Sequence, residues 1–121
     1  MFTDVIDSNL NGDEKTFIGL LHEKGTIQLD LFWPLFDQIN GLSEALSKQE
    51  DVSKVIVQKI IKLQSIIMSY MTYHFDTNDE FCISNIDKFD YQSFIERIKV
   101  LFENFGNRKI PESLFDDDLR K

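Results

Sequence analysis

The amino-acid sequence predicts an all-α fold: a single compact bundle of five to seven helices around a long central helix at about residues 51–75. Three observations support this class. Residues 51–75 contain no Gly and no Pro, apolar residues recur at helical spacing along most of the chain, and no two segments alternate well enough to pair as strands. Helices with apolar faces bury them against one another, so a bundle is the expected architecture.

The predicted central helix shows water only a narrow polar stripe. Its polar residues fall within an arc of roughly 80° when successive residues are set 100° apart. They are Lys54, Gln58, Lys62, Ser65, Ser69 and Thr72. Because apolar residues cover the remaining surface, we expect other helices to wrap this helix on most sides.

Two shorter helices are predicted at the N-terminal end. Apolar residues within the first ten positions recur at helix-like intervals and predict a short helix. Asp13 is placed to cap a second helix, and Gly25 stands where a C-terminal glycine would end it.

Residues 26–33 alternate almost as a strand does, but the sequence offers no convincing partner strand. We therefore favour helix or extended linker there. Trp33-Pro34 disfavours the helical conformation at Trp33, whereas proline suits the first turn of a new helix. A helix over residues 34–47 is predicted on that basis.

Three further elements are predicted after residue 75. Residues 76–79 are turn formers, and residues 80–89 are predicted as a short helix. Asp90 caps an amphipathic helix that Gly106 and Asn107 end, and Pro111 opens a final turn.

The charge of the chain narrows the classes of function that we expect for it. Its 121 residues favour one domain, residues 1–121, and 21 acidic against 13 basic residues give a net charge of −8. Nucleic acid is not expected as a direct ligand, because phosphate binding needs a basic surface. A basic protein partner is favoured instead, since complementary charge speeds association. The alternative is that the acidity only keeps the protein soluble.

Cysteine and hydropathy patterns predict a soluble cytoplasmic protein. The single Cys82 cannot form an internal disulfide. The first residues do not have the pattern of a secretory signal, and no uncharged apolar run is long enough for a membrane span, so no membrane association is expected.

The sequence contains no motif that asks for catalysis, so we predict a protein that is not an enzyme and binds no cofactor or metal. The runs that begin at Asp7 and Asp76 resemble calcium loops only in part, since the first has Ile18 where a bidentate Glu is required. His74 with the acids after it could hold a ligand or metal, but no second His stands at helical spacing. We interpret these residues as turn formers and structural hydrogen-bonding groups.

The acids concentrate in segments outside the main helices, and this predicts a partner-binding site. Residues 76–90 hold five acids and one lysine, with a tyrosine beside each end. Aromatic residues within a charged rim are typical of protein-binding hot spots. The predicted site comprises Tyr73, Asp76, Asp79, Glu80, Asp87, Asp90 and Tyr91. The alternative is that the acids stabilise helix ends and the aromatic residues belong to the core.

A small, strongly acidic, motif-free helical chain resembles the immunity proteins that neutralise bacterial toxins, such as those of contact-dependent growth inhibition systems and nuclease bacteriocins. The resemblance extends over the whole chain in size, charge and helical content. It implies a cytoplasmic inhibitor that binds a basic toxin domain, often a nuclease, and blocks the toxin's active site.

Three other hypotheses stay open at this point. The chain could be a nucleic-acid mimic, as in phage anti-restriction or anti-CRISPR proteins. It could be a small helical protein that binds a ligand or metal through His74 and nearby acids. A homodimer formed through the apolar flanks of the helices is compatible with each of these functions.

Overall fold

The computed structural model describes residues 2–120, which form five α-helices and one short 3-10 helix, without a strand. This confirms the all-α prediction. None of the helices in those residues is long and apolar enough to cross a membrane. The elements are α1 (Asp4–Leu10), α2 (Phe17–Lys24), α3 (Leu29–Leu46), α4 (Lys54–Phe75), α5 (Tyr91–Glu103) and the 3-10 helix Glu112–Leu114.

Helix α3 buries the most residues of any helix in residues 2–120, and the prediction that the helix at residues 51–75 is central and innermost is not confirmed. Helix α3 packs against α1, α2 and α5 and buries eight of its residues. Helix α4 begins at Lys54, packs against α1, and buries only one stripe, made of Ile60, Leu63, Ile67 and Met71. Hydrophobic periodicity shows which faces are apolar, but the number of neighbouring helices decides how many of those faces are covered.

Residues 26–33 divide between an extended stretch and a helix, so the predicted helix at residues 34–47 starts too late. Ile27 is held in an extended segment by Asn85, whose Oδ1 accepts from Ile27 N at 2.9 Å and whose Nδ2 donates to Ile27 O at 2.8 Å. Helix α3 then starts at Leu29 and includes Pro34. Burial of Phe32, which is 1% exposed, outweighs the local preference that proline imposes on the preceding residue.

The cap predicted at Asp13 belongs to Thr16 instead. Thr16 Oγ1 accepts from Gly19 N at 3.0 Å, and Thr16 N donates to Asp13 O at 3.1 Å, so Asp13 forms the turn before α2. The predicted end of α2 is confirmed, because Gly25 has a φ of 61°. A Cβ at Gly25 would also lie 2.6 Å from the carbonyl oxygen of Cys82, so two requirements select glycine there.

The helix predicted over residues 80–89 is absent, since the chain forms extended segments and turns there. Its backbone groups bond to other parts of the fold: Ile83 N donates to His74 Nδ1 at 2.9 Å, and Ser84 N donates to Gly25 O at 2.7 Å. The predicted cap at Asp90 and the final turn after Pro111 are both confirmed. Helix α5 ends at Glu103, earlier than the predicted Gly106.

Candidate protein-binding face

The C-terminal end of α4 leads into a segment that we call the acidic loop, residues 76–90. Its five acids are Asp76, Asp79, Glu80, Asp87 and Asp90, and all five are exposed. Within residues 2–120 none of these five carboxylates forms an ion pair. The loop therefore presents uncompensated negative charge to solvent.

Two of these acids shape the start of the loop. Asp76 Oδ1 accepts from Asn78 N at 2.9 Å, and Asp79 Oδ1 accepts from Phe81 N at 2.8 Å. Such bonds hold a turn without using the charge of the carboxylate against a cation. Glu80 and Asp87 lie on the same loop and are also exposed.

Asp90 and Tyr91 join the loop to α5. Asp90 caps the helix, because its carboxylate accepts from Ser93 Oγ at 2.7 Å and from Ser93 N at 3.1 Å. These two hydrogen bonds hold the pKa of Asp90 below its ordinary value. Tyr91 is half-buried, its hydroxyl donates to Met71 Sδ at 3.2 Å, and burial raises its pKa.

Exposed aromatic side chains lie beside the acids. Tyr73 is 43% exposed and Phe75 is 63% exposed. The Phe75 ring meets the edge of Tyr91, with ring centroids 5.6 Å apart, and Tyr73 meets Tyr70 at 6.2 Å. Tyr73 and Tyr91, which are both predicted site residues, thus contact aromatic side chains at the C-terminal end of α4. Phe75 is an exposed aromatic residue of the same face, and the sequence did not predict it.

The predicted site residues fall into two adjoining groups, one near Phe75 and one near Asp90. Phe75 and Tyr91 bring the start of the loop and the start of α5 together. Asp90 instead borders an open cavity of about 560 Å³ whose other lining residues include part of the C-terminal segment, residues 112–120. That cavity is lined by Leu29, Lys88, Phe89, Asp90, Ser93, Asp116, Asp117, Asp118 and Leu119. Asp116 and Asp118 are exposed acids that the predicted site omitted, and they extend the acidic surface on the Asp90 side.

The acidic loop is attached to the body of the protein at its middle. Ile83 is 1% exposed, and its N–H donates to the Nδ1 atom of His74. Ser84 and Asn85 bond the backbone of Gly25 and Ile27. His74 consequently uses one ring nitrogen to hold the loop. In residues 2–120 no group of three or more His, Cys, Asp or Glu is arranged to hold a metal ion.

A second charged cluster, which the sequence reading missed, fixes the C-terminal segment. Arg97 of α5 is 1% exposed and donates to Glu112 at 2.5 Å and to Asp117 at 2.7 Å. Its guanidinium lies over the rings of Trp33 and Phe115, at 4.8 Å and 4.4 Å from their centroids. Burial lowers the pKa of Arg97, but the hydrogen bonds and charges of its two carboxylate partners outweigh burial and raise it overall.

Arg120 belongs to the same charged cluster as Arg97. Its guanidinium binds both carboxylate oxygens of Asp37 on α3 and lies 4.7 Å from the centroid of the Trp33 ring. The hydrogen bond to Asp37 raises the pKa of Arg120. A periodic pattern could not have indicated either arginine, because their partners lie far away in sequence and meet only after folding.

Comparisons with protein-family models, curated proteins and solved structures found no match for this chain. The geometry of the two clusters is therefore the basis for a functional assignment.

Proposed function

We propose that this protein is an immunity-type inhibitor that binds a basic protein domain, such as a toxin nuclease, through the acidic loop and the aromatic residues beside it. The single observation that supports this proposal most is that five exposed carboxylates of one loop lack an ion pair within residues 2–120. The protein acts by covering the partner's basic substrate-binding surface, without chemistry of its own.

The structural roles of these acids do not account for the whole set. Turn formation accounts for Asp76 and Asp79, and helix capping accounts for Asp90. Neither role applies to Glu80 or Asp87, which extend the negative surface without a hydrogen bond in the described fold. Uncompensated charge of one sign favours encounter with a partner of the opposite sign and disfavours like-charged ones.

The exposed aromatic residues beside the loop contribute binding energy that exposed acids do not. Charged rim residues chiefly set the association rate, whereas buried aromatic anchors contribute most of the binding energy. Tyr73 and Phe75 lie beside the loop with large exposed fractions, and Phe75 rests against Tyr91. Because the loop is already bonded to the body at residues 83–85, little ordering is required on binding, which favours affinity.

The test first asks whether a basic nuclease domain is encoded beside this chain in its native genome, and then uses that domain in purified form. The wild-type protein should bind this domain and inhibit its nuclease activity. Replacing Asp79, Glu80 and Asp87 together by Lys should weaken binding by several kcal/mol, about a hundredfold or more in Kd, if they meet desolvated charges. Isothermal titration calorimetry and a nuclease assay measure the two effects.

The matched control makes the same change in charge elsewhere. Glu14, Glu50 and Glu96 are exposed and form no ion pair within residues 2–120, so their triple replacement by Lys alters net charge equally. A small loss of affinity in this control supports the assigned face. Equal losses in both triple variants would contradict it, and so would a wild-type protein that neither binds nor inhibits the domain.

A further inference from the structure

Helix α4 carries a line of apolar side chains that the described fold leaves partly uncovered. Val57, Ile61, Met68 and Phe75 are 38%, 60%, 43% and 63% exposed. At 100° per residue these four positions fall within an arc of roughly 40° beside the buried stripe of the helix. Scattered single apolar residues on a surface need no explanation, but a line of them along most of a helix marks an interaction surface.

The line has the spacing of a coiled-coil seam. Ile61, Met68 and Phe75 are seven residues apart and occupy a positions, and Lys54 is the a position before them. Val57, Gln64 and Met71 occupy the intervening d positions, and Met71, which is 4% exposed, faces the core of the protein instead of the seam. A seven-residue repeat is the pattern that lets one helix pack along another over several turns. A single polar d residue such as Gln64 fits a seam that sets register at some cost in stability.

We propose that α4 pairs with α4 of a second copy of this chain as an antiparallel coiled coil. In the register centred on residue 66, Ile61 of one copy inserts between Met68 and Phe75 of the other, and Val57 lies opposite Phe75. The flanking e positions are Gln58, Ser65 and Thr72, which are uncharged and permit close approach.

Charge selects this occupant and this direction. Helix α4 contains three lysines and no acid, whereas each of the other four α-helices contains at least one acid. Only Lys54 of the three lies near the apolar line, since Lys59 pairs with Asp7 at 2.8 Å and Lys62 lies roughly 100° from Ile61. In an antiparallel pair Lys54 of one copy approaches residues 76–79 of the other, where Asp76 and Asp79 are exposed. A parallel pair would instead bring the two Lys54 side chains together and the two acidic loops together.

This pairing does not depend on the proposed inhibitory function, but it shares Phe75 with the inhibitory face and brings Lys54 of the second copy to Asp76 and Asp79. Tyr73 lies roughly 140° around α4 from Met68 when residues are set 100° apart, so it does not take part in the seam. The acidic loops lie at opposite ends of the paired helices. Pairing and binding of a basic partner therefore compete for Phe75 and for the start of the acidic loop.

The first test measures molar mass in solution. Analytical ultracentrifugation of the wild type should give twice the chain mass of 14.2 kDa at submillimolar concentration, with dissociation on dilution. Ile61→Glu and Met68→Glu should each weaken self-association roughly tenfold or more, because a carboxylate cannot be buried in the seam unpaired. Both side chains are exposed in the single chain, so the variants fold, as circular dichroism will show.

Val55→Glu is the matched control, since Val55 is 58% exposed on the same helix but roughly 120° from Ile61. Its self-association should equal that of the wild type. The proposal is overturned by a monomeric wild type at all concentrations, or by Val55→Glu and Ile61→Glu dissociating alike. A monomer that binds vesicles of anionic phospholipid through Ile61 would also overturn it, and would identify a membrane surface as the occupant.

The second test establishes direction. Cys82 is exposed and is replaced by Ser to remove the native thiol. In that background Ser65→Cys should form an intermolecular disulfide on oxidation, because residue 65 lies next to the centre of the antiparallel register. Lys54→Cys should not, because the two copies of residue 54 lie at opposite ends. Efficient crosslinking of Lys54→Cys would show a parallel pair and overturn the register.

Discussion

The two acidic regions of this molecule, the C-terminal segment and the acidic loop, have the same sign of charge but opposite structural situations. Glu112 and Asp117 of the C-terminal segment bind Arg97, which is buried against two aromatic rings. The carboxylates of the acidic loop are exposed and make no ion pair within residues 2–120. Charge in the first region holds the fold together, whereas charge in the second is available to a partner.

The comparison shows that the function of an acidic residue depends on its cation and its burial more than on how many acids surround it. A buried arginine that lost its carboxylates would be left unsatisfied, which is costly. An exposed carboxylate without a cation is solvated and costs the fold little. The difference in stability between variants of the two regions is therefore the most direct way to test the comparison.

The largest effect is expected from Arg97→Met. This substitution removes the ion pair between Arg97 and Asp117, whose side chain is 13% exposed, and the cation–π contacts with Trp33 and Phe115. We expect about 3 kcal/mol loss in the free energy of unfolding, the usual result of removing one member of a buried pair. Urea denaturation followed by circular dichroism measures it.

Two control variants test whether the loss of stability is specific to the buried arginine. Lys99→Met lies on the same helix, where Lys99 is exposed and approaches Glu103 only at 3.8 Å, and should change stability by about 0.5 kcal/mol or less. The triple replacement of Asp79, Glu80 and Asp87 by Lys should also change stability by no more than about 1 kcal/mol. If that triple variant were as unstable as Arg97→Met, the distinction between the two acidic regions would fail.

An intermediate effect is expected where the acidic loop is attached to the body. Asn85→Ala removes both hydrogen bonds to Ile27 and leaves the N–H and C=O of that residue, which is 2% exposed, without these partners. We expect a loss of about 1–3 kcal/mol in the free energy of unfolding. Hydrogen exchange should accelerate at residue 27 and in the acidic loop and stay unchanged in α5. Unchanged exchange in the loop would show that Asn85 does not position it.

The features that could be predicted from the sequence are those that depend on contacts between residues close together in the chain. The cap at Asp90 and the glycine end of α2 depend on residues within a few positions of each other, and both were predictable. Arg97 could not be distinguished from an exposed cation, since Glu112 and Asp117 stand 15 and 20 residues away. The exposed acids of the loop were predictable, because turn formers favour the surface.

The position of α4 could not be predicted for a related reason. Its apolar content is compatible with complete burial, so periodicity indicated an innermost helix. Burial in the folded chain depends on which helices pack against it, and among them α1 covers one side. The uncovered apolar line is where the expectation and the structure differ most, and a second copy of α4 would account for it.

The smallest effect concerns Asp90, the one loop acid whose hydrogen bonds cap a helix. Its pKa in the folded protein is lowered from 3.8, chiefly by the Ser93 hydroxyl and then by the Ser93 N–H. The contribution of this carboxylate to stability is therefore present above pH 3.8 and is lost as the pH falls from that value through the lower pKa of the folded state. Ser93→Ala removes the strongest donor, so part of this acid-dependent loss should disappear. Urea midpoints at neutral pH and below pH 3.8 measure the change, and Asp90→Asn, which keeps an acceptor but cannot ionise, should abolish it. If Asp90→Asn responded to acid as the wild type does, Asp90 would belong functionally with the partner-directed acids rather than with those that stabilise the fold.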